Sequence, residues 1–183
     1  MDKAVIDVII PAFNEEQPIG LVLREIPWEA VREVVVCNNA STDRTAEVAK
    51  AGGATVLYEA RKGYGNACLK GIEYLVQKPA SEKPDIVVFM DADYSDFPDE
   101  LPSLVNPIIE ESYDLAIGSR TLGRRQRGAL LPQQLFGNWL ATTLIRLFYN
   151  YHFTDLGPFR AIRFDKLLAL KMKDRNYGWT VEM

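Results

Sequence analysis

Apolar residues in the first two-thirds of the chain follow two alternating patterns. Short continuous runs at 5–12 (VIDVIIPA), 33–38 (EVVVCN), 54–58 (ATVLY), 85–90 (DIVVFM) and 114–118 (DLAIG) are rich in β-branched residues and apolar on both faces. Such runs mark parallel strands buried from both sides. Between them, near 15–26, 43–51, 65–77 and 99–111, apolar positions recur at helical spacing. Asn14 and Asp43 stand where N-caps would, and Asp99 and Glu100 fall in a first turn, where carboxylates suit the helix dipole. Strand and helix alternating at this spacing predict βαβ units and an α/β fold with a Rossmann-like, mostly parallel sheet flanked by helices. The stretch 79–84 (PASEKP) reads as a solvated loop.

The last third is patterned differently. A basic, glycine-containing loop at 123–134 leads into an apolar helix pattern over 135–151, whose polar residues Asn138, Thr142, Arg146 and Asn150 form one narrow row. After Gly157-Pro158 the pattern predicts a strand at 159–163, a helix near 165–172 and a strand-like Trp179-Thr180-Val181. With no closing helix after it, the chain reads as a single domain, 1–183, truncated at its C-terminal side.

Composition narrows the function. The 183 residues are 48% hydrophobic and 25% charged, enough for a full core without disulfides. A net charge of −4 argues against a general nucleic-acid binder. That average hides a skew: residues 1–114 hold 10 bases against 21 acids, whereas 115–154 hold five arginines and no acid. A local +5 on an acidic chain invites an anionic partner. Cys37 and Cys68 lie inside apolar patterns and read as reduced, buried thiols. A single histidine, His152, argues against a histidine-based zinc site or a Ser-His-Asp triad. Without a signal-peptide layout or a run of about 18 apolar residues, the chain reads as cytoplasmic.

Ligands of an open α/β sheet sit beyond the carboxyl ends of its strands. Four segments converge there: Pro11–Glu15 after the first strand, Asn38–Ser41 after the second, Arg61–Gly65 after the third, and Asp91-Ala92-Asp93 after the fourth. There is no P-loop signature, and Gly63-Tyr64-Gly65 is no dinucleotide fingerprint, since Cys68 breaks it and it follows the third strand. Those glycines either admit a ligand phosphate at a helix N-terminus or serve a plain loop. Asp91 and Asp93 are the sharpest feature. Two carboxylates ending an apolar strand are costly unless something neutralises them, and a hard divalent cation does so.

The segments IIPAFNEE (9–16), NNASTD (38–43), RKGYGNA (61–67), MDADYSDFP (90–98), IGSR (117–120) and DLGPFRAIR (155–163) together resemble family 2 glycosyltransferases of the GT-A fold. The dolichyl-phosphate mannose/glucose synthase-like branch is the most similar. The resemblance implies a nucleotide-sugar-binding half at 1–118 and an acceptor-binding part at 119–183. Pro11, Phe13, Glu15, Asn38 and Asn39 would hold the nucleoside of a UDP- or GDP-linked sugar. Lys62, Gly63 and Ala92 would lie along the donor. Asp91 and Asp93 would bind Mg²⁺ or Mn²⁺, with Asp93 and Arg120 serving catalysis. Two departures stand out: Asn38 occupies a position where the family has Asp, and Ser95 one where some lipid-phosphate mannosyltransferases have Gln as a third metal ligand.

The acceptor follows from the basic stretch. Arg120, Arg124 and Arg127 precede the apolar helix 135–151, a layout suited to an anionic membrane surface, so 120–151 is the candidate peripheral contact with the inner face of a membrane. A polyprenyl or dolichyl phosphate fits, since arginines bind phosphate bidentately and a phosphate attacks a sugar without a general base. Asp155 and Arg160 would order the acceptor loop or pair to fix a turn. The implied reaction is inverting transfer of a sugar to that acceptor. A soluble enzyme with a hydroxyl acceptor, using Glu182 as base, and a non-catalytic nucleotide-sugar-binding protein of the same fold are the alternatives.

Overall fold

A computed structural model describes residues 3–119, 143, 146–147, 150 and 157–183. Strands β1 (Ile6–Ala12), β2 (Glu33–Asn38), β3 (Thr55–Tyr58), β4 (Ile86–Phe89), β5 (Leu115–Ile117) and β6 (Arg160–Arg163) form one sheet in the order β3-β2-β1-β4-β6-β5. Neighbours among β1–β4 are parallel, while β6 runs antiparallel to both β4 and β5. The predicted strand at 159–163 is thus the reversed one, inserted between β4 and β5. Helices α1 (Ile19–Glu25), α2 (Thr45–Ala51), α3 (Tyr64–Gln77), α4 (Leu101–Glu110), α5 (Phe164–Leu170) and α6 (Trp179–Glu182) flank the sheet.

The two-residue period of a strand divides the core into two halves. Ile6, Val8, Ile10, Val34, Val36, Ile86 and Val88 point to one face, where α1, α2 and α4 bring Ile19, Leu23, Ala49, Leu101 and Val105. Ile9, Val35, Cys37, Val87 and Phe89 point to the other, against Cys68 and Leu75 of α3, Leu167 of α5 and Trp179 of α6. Covering both faces is why these strands read as unbroken apolar runs. Each fully buried aliphatic side chain contributes about 1.5–3 kcal/mol. Gly71 lets α3 lie close on the sheet, because a Cβ there would come within 2.7 Å of Ile9 Cγ2 and 3.1 Å of Cys37 Sγ. The two cysteines are buried free thiols, and burial raises both, Cys37 to about 12. They are inert core residues.

Three expectations need correction. Trp179-Thr180-Val181 is the first turn of α6, not a strand, because Trp179 packs edge-on against Phe89 at 5.7 Å and pins the segment as a turn. Loop 79–84 contains a single 3-10 turn at Ala80–Glu82. Asn14 caps nothing: it sits at φ 56°, four residues ahead of the Pro18 that opens α1. Asp43, by contrast, accepts the Thr45 amide at the start of α2 (3.0 Å). Within the predicted helix 135–151 the described residues are Thr143, Arg146 and Leu147, all helical and exposed, and Asn150, whose amide donates to the Arg146 carbonyl at 3.0 Å. Among the described residues no helix is long and apolar enough to cross a membrane.

Candidate active site

From β1 the chain steps to β2 and β3 on one side and to β4 on the other, so the sheet's switch point lies between β1 and β4. A crevice opens at such a point, beyond the strand ends. It holds a cavity of about 530 Å³, lined by residues from each strand end: Pro11, Ala12, Phe13 and Glu15 after β1, Asn39 after β2, Lys62, Gly63, Tyr64 and Ala67 at the start of α3, Asp91, Ala92 and Asp93 after β4, and Tyr177. Three residues held at positive φ mark the same end: Asn14 (56°) after β1, Ala40 (57°) after β2 and Tyr94 (61°) after β4. For side chains larger than glycine that conformation costs on the order of 1–3 kcal/mol each, and such strain gathers where loops are shaped for a ligand.

Hydrogen bonds hold the loops in register. The Asn14 amide donates to Ser41 Oγ (3.0 Å), and Asn14 Oδ1 accepts the Thr42 amide (2.8 Å). The Glu15 amide donates to buried Thr45 Oγ1 at 2.8 Å, and that of Glu16 to Asp43 at 3.1 Å. Asn39 joins β2 to the next loop: its Nδ2 donates to the Arg61 carbonyl (2.7 Å) and its Oδ1 accepts the Gly63 amide (2.8 Å). Buried Glu59 accepts the Arg61 amide at 2.8 Å and its guanidinium, and the Arg61 partner pulls its carboxyl down to about 2. Asn38 is buried beneath this layer. Its Oδ1 accepts the Ser41 amide (3.0 Å), so it shapes the turn and does not line the cavity.

Charge defines what the cavity accepts. Lys62 is the one cation among its described lining residues, held 5.0 Å over the Phe13 ring, against three carboxylates of Glu15, Asp91 and Asp93. Burial raises the Glu15 carboxyl above its ordinary value, and the charges of Asp93 and Asp43 add to this. Exposed Asp93 accepts the Ser95 amide (2.9 Å), and Asp91 accepts the Tyr64 hydroxyl (2.9 Å). Asp96 turns away from the cavity to accept the Asp91 amide (3.1 Å). No three ligating side chains among the described residues converge to hold an ion alone. Asp91 and Asp93 suit a cation whose remaining oxygens come from a bound ligand.

Some predicted residues make structural contacts of their own. Glu182, the candidate base, is committed elsewhere: its carboxylate accepts the Lys173 amide at 3.0 Å and the Asp174 amide at 2.7 Å. Arg160 is 1% exposed and donates to the Gly157 carbonyl (3.1 Å) and the Thr180 carbonyl (3.0 Å), so it braces the chain and does not present itself to an acceptor. The glycines at α3 do admit a close approach, but of the protein's own backbone: the Gly65 amide donates to the Asn176 carbonyl (3.2 Å) and the Asn66 amide to the Arg175 carbonyl (3.1 Å). That helix terminus is capped by carbonyls. Arg120, Arg124, Arg127 and Asp155 lie outside the described residues. Sequence reasoning missed Tyr64 and Tyr177. Tyr64 had a readable signal, a hydroxyl in the first turn of the helix whose start faces the Asp-Ala-Asp segment.

A parallel sheet with one reversed strand, and an acidic crevice at its switch point, define a GT-A-type α/β domain. The chain belongs to glycosyl transferase family 2, whose model matches residues 7–170. It is 33% identical over 156 residues to an uncharacterized protein of Methanocaldococcus jannaschii, covering 85% of this chain and 63% of that protein. It is 30% identical to the undecaprenyl-phosphate mannosyltransferase of Micrococcus luteus, over 96% of this chain and 74% of that one. Among solved structures, glucosyl-3-phosphoglycerate synthase from Mycobacterium tuberculosis, in complex with Mn²⁺, UDP and glucosyl-3-phosphoglycerate, superposes with a TM-score of 0.74 at 26% identity. That match covers 97% of this chain and 63% of the synthase.

Proposed function

We propose that this chain carries the donor site of an inverting, divalent-metal-dependent glycosyltransferase that moves a sugar from a nucleoside diphosphate sugar to a polyprenyl phosphate. The carrying observation is the acidic crevice: among its described lining residues three carboxylates face one lysine, so a bound cation favours entry of an anionic diphosphate. Asp91 and Asp93 would hold Mg²⁺ or Mn²⁺, and the ion supplies charge stabilisation to the departing diphosphate. Phe13, Glu15 and Asn39 would shape the nucleoside end, and Lys62, held over the Phe13 ring, would offer its ammonium to the phosphates. The glucosyl-3-phosphoglycerate synthase complex with Mn²⁺ and UDP supports this reading.

In the transfer, an acceptor phosphate oxygen forms a bond to the anomeric carbon as the bond from that carbon to the diphosphate oxygen breaks. The nucleoside diphosphate leaves with the electron pair. Commitment of Glu182 to two backbone amides favours an acceptor that needs no general base, and a phosphate is one. The undecaprenyl-phosphate mannosyltransferase of M. luteus supports the same acceptor class. Exposed Arg146 and Leu147, the latter 73% exposed, support a peripheral membrane contact through 120–151.

Thermal unfolding against UDP-, GDP-, ADP- and CDP-sugars, with and without Mn²⁺, tests the donor site. A ligand at 100 times its dissociation constant stabilises by about 2.7 kcal/mol. One nucleotide should give a Mn²⁺-dependent shift that Asp93→Asn abolishes, and transfer to polyprenyl phosphate should fall about 100-fold in the same variant. A shift that ignores metal, or survives Asp93→Asn, would overturn the assignment.

A further inference from the structure

We propose that Tyr64 is a positioning residue for the cation, fixing the carboxylate of Asp91 in the orientation that binds metal. The inference rests on the reading of Asp91 as a metal ligand. Tyr64 opens α3, lines the cavity and donates its hydroxyl to Asp91 Oδ1 at 2.9 Å. A carboxylate at the end of a strand otherwise rotates about its last torsion, and a ligand-bound hydrogen bond removes that freedom.

The mount of Tyr64 is unusually well fixed for a first-turn residue. Gly63 and Gly65 on either side are packed so closely against 174–176 that a Cβ on either would meet a backbone carbonyl oxygen at 2.2 Å. The amides of Gly65 and Asn66 are bonded to that segment, and Glu182 clamps the segment through the Lys173 and Asp174 amides. A line of contacts therefore runs from the C-terminal helix, through this strap and the start of α3, to the tyrosine hydroxyl. The Asp91 amide is held separately by Asp96, so backbone and carboxylate are fixed from two directions.

The test is Mn²⁺ binding to the full chain in the presence of UDP, followed by electron paramagnetic resonance, with UDP affinity measured separately without metal. Tyr64→Phe keeps the ring and removes only the hydroxyl. It should weaken Mn²⁺ binding on the order of 10-fold, as loss of an outer partner to a metal ligand does, and leave metal-free UDP affinity unchanged. Asp91→Asn is the reference. If Asp91→Asn weakens Mn²⁺ binding and Tyr64→Phe does not, the positioning role is wrong and the metal site stands. If Asp91→Asn binds Mn²⁺ like the parent, the metal assignment fails and takes this inference with it. A Tyr64→Phe variant that loses metal-free UDP affinity to the same degree would make the hydroxyl a fold or nucleotide contact and also overturn the role. Glu182→Gln, which loosens the strap without touching the cavity, should weaken Mn²⁺ binding in the same direction but less.

Discussion

Glu59 sits under the crevice with its carboxylate buried and turned onto the Arg61 amide and guanidinium. Those contacts hold its folded-state value near 2, below the ordinary glutamate value of 4.5. A depressed carboxylate adds stability that is complete above its unfolded value and fades as pH falls toward the folded one. Glu59→Gln should therefore lower the melting temperature at pH 7, and the gap to the parent should close as pH drops from about 4.5 to about 2. Melting curves at pH 7 and pH 2.5 check it, and a gap that stays constant would remove Arg61 as the cause. The same residue illustrates what a sequence hides. Nothing local distinguishes Glu59 from Glu47 or Glu73, two exposed glutamates paired along their own helices. Asn38 is a similar case: an amide next to Asn39 in sequence, yet one faces the cavity and the other a turn beneath it.

At the level of elements, β1, β2 and β4 were legible because strands covered on both faces are mostly apolar, and the part-buried edge strand β3 was legible from its β-branched run. The fold class, the helices between the strands and the four converging strand ends followed from that. What escaped was anything set by a partner far along the chain. Trp179-Thr180-Val181 has strand-like composition, but the Val181 and Glu182 amides bond to the Gly178 carbonyl while Trp179 is buried in the core beside Phe89, and the segment is a helical turn. The α3 terminus teaches the same lesson with a measurable consequence. Gly63→Ala and Gly65→Ala each place a methyl 2.2 Å from a carbonyl of 174–176, and Gly63 also sits at φ 135°. Overpacking of this kind costs about 1–3 kcal/mol. Denaturant titration should show that loss for both variants, and UDP binding should weaken because the strap and Tyr64 shift with it. Gly20→Ala is the internal comparison. Its methyl meets only the Val48 side chain at 3.3 Å, and alanine favours the helix, so its stability should change by less than about 1 kcal/mol.

For the molecule as a whole, the donor crevice is an assembly of distant pieces. Strand ends from the first half supply the carboxylates, lysine and amides, whereas one wall and the cap on α3 come from residues 173–182. The skew of charge follows the same division, with acids concentrated before residue 115 and the arginine run after it. A negative crevice favours an anionic ligand that arrives with its own counter-charge. Apparent affinity for a nucleoside diphosphate should therefore rise with Mn²⁺ concentration and saturate, whereas affinity for the uncharged nucleoside should not change. Competition binding with uridine and UDP across a Mn²⁺ series measures the difference.

The strap has a consequence during synthesis. The contacts that complete the start of α3 join residues 63–66 to 174–176, about 110 positions later, so they form only after residue 176 has been made. The four parallel strands need nothing beyond residue 90 and can pair long before. The start of α3 is thus completed by the turn at Trp179–Glu182 and the segment it holds, so a refolding chain should gain its sheet before its affinity for UDP.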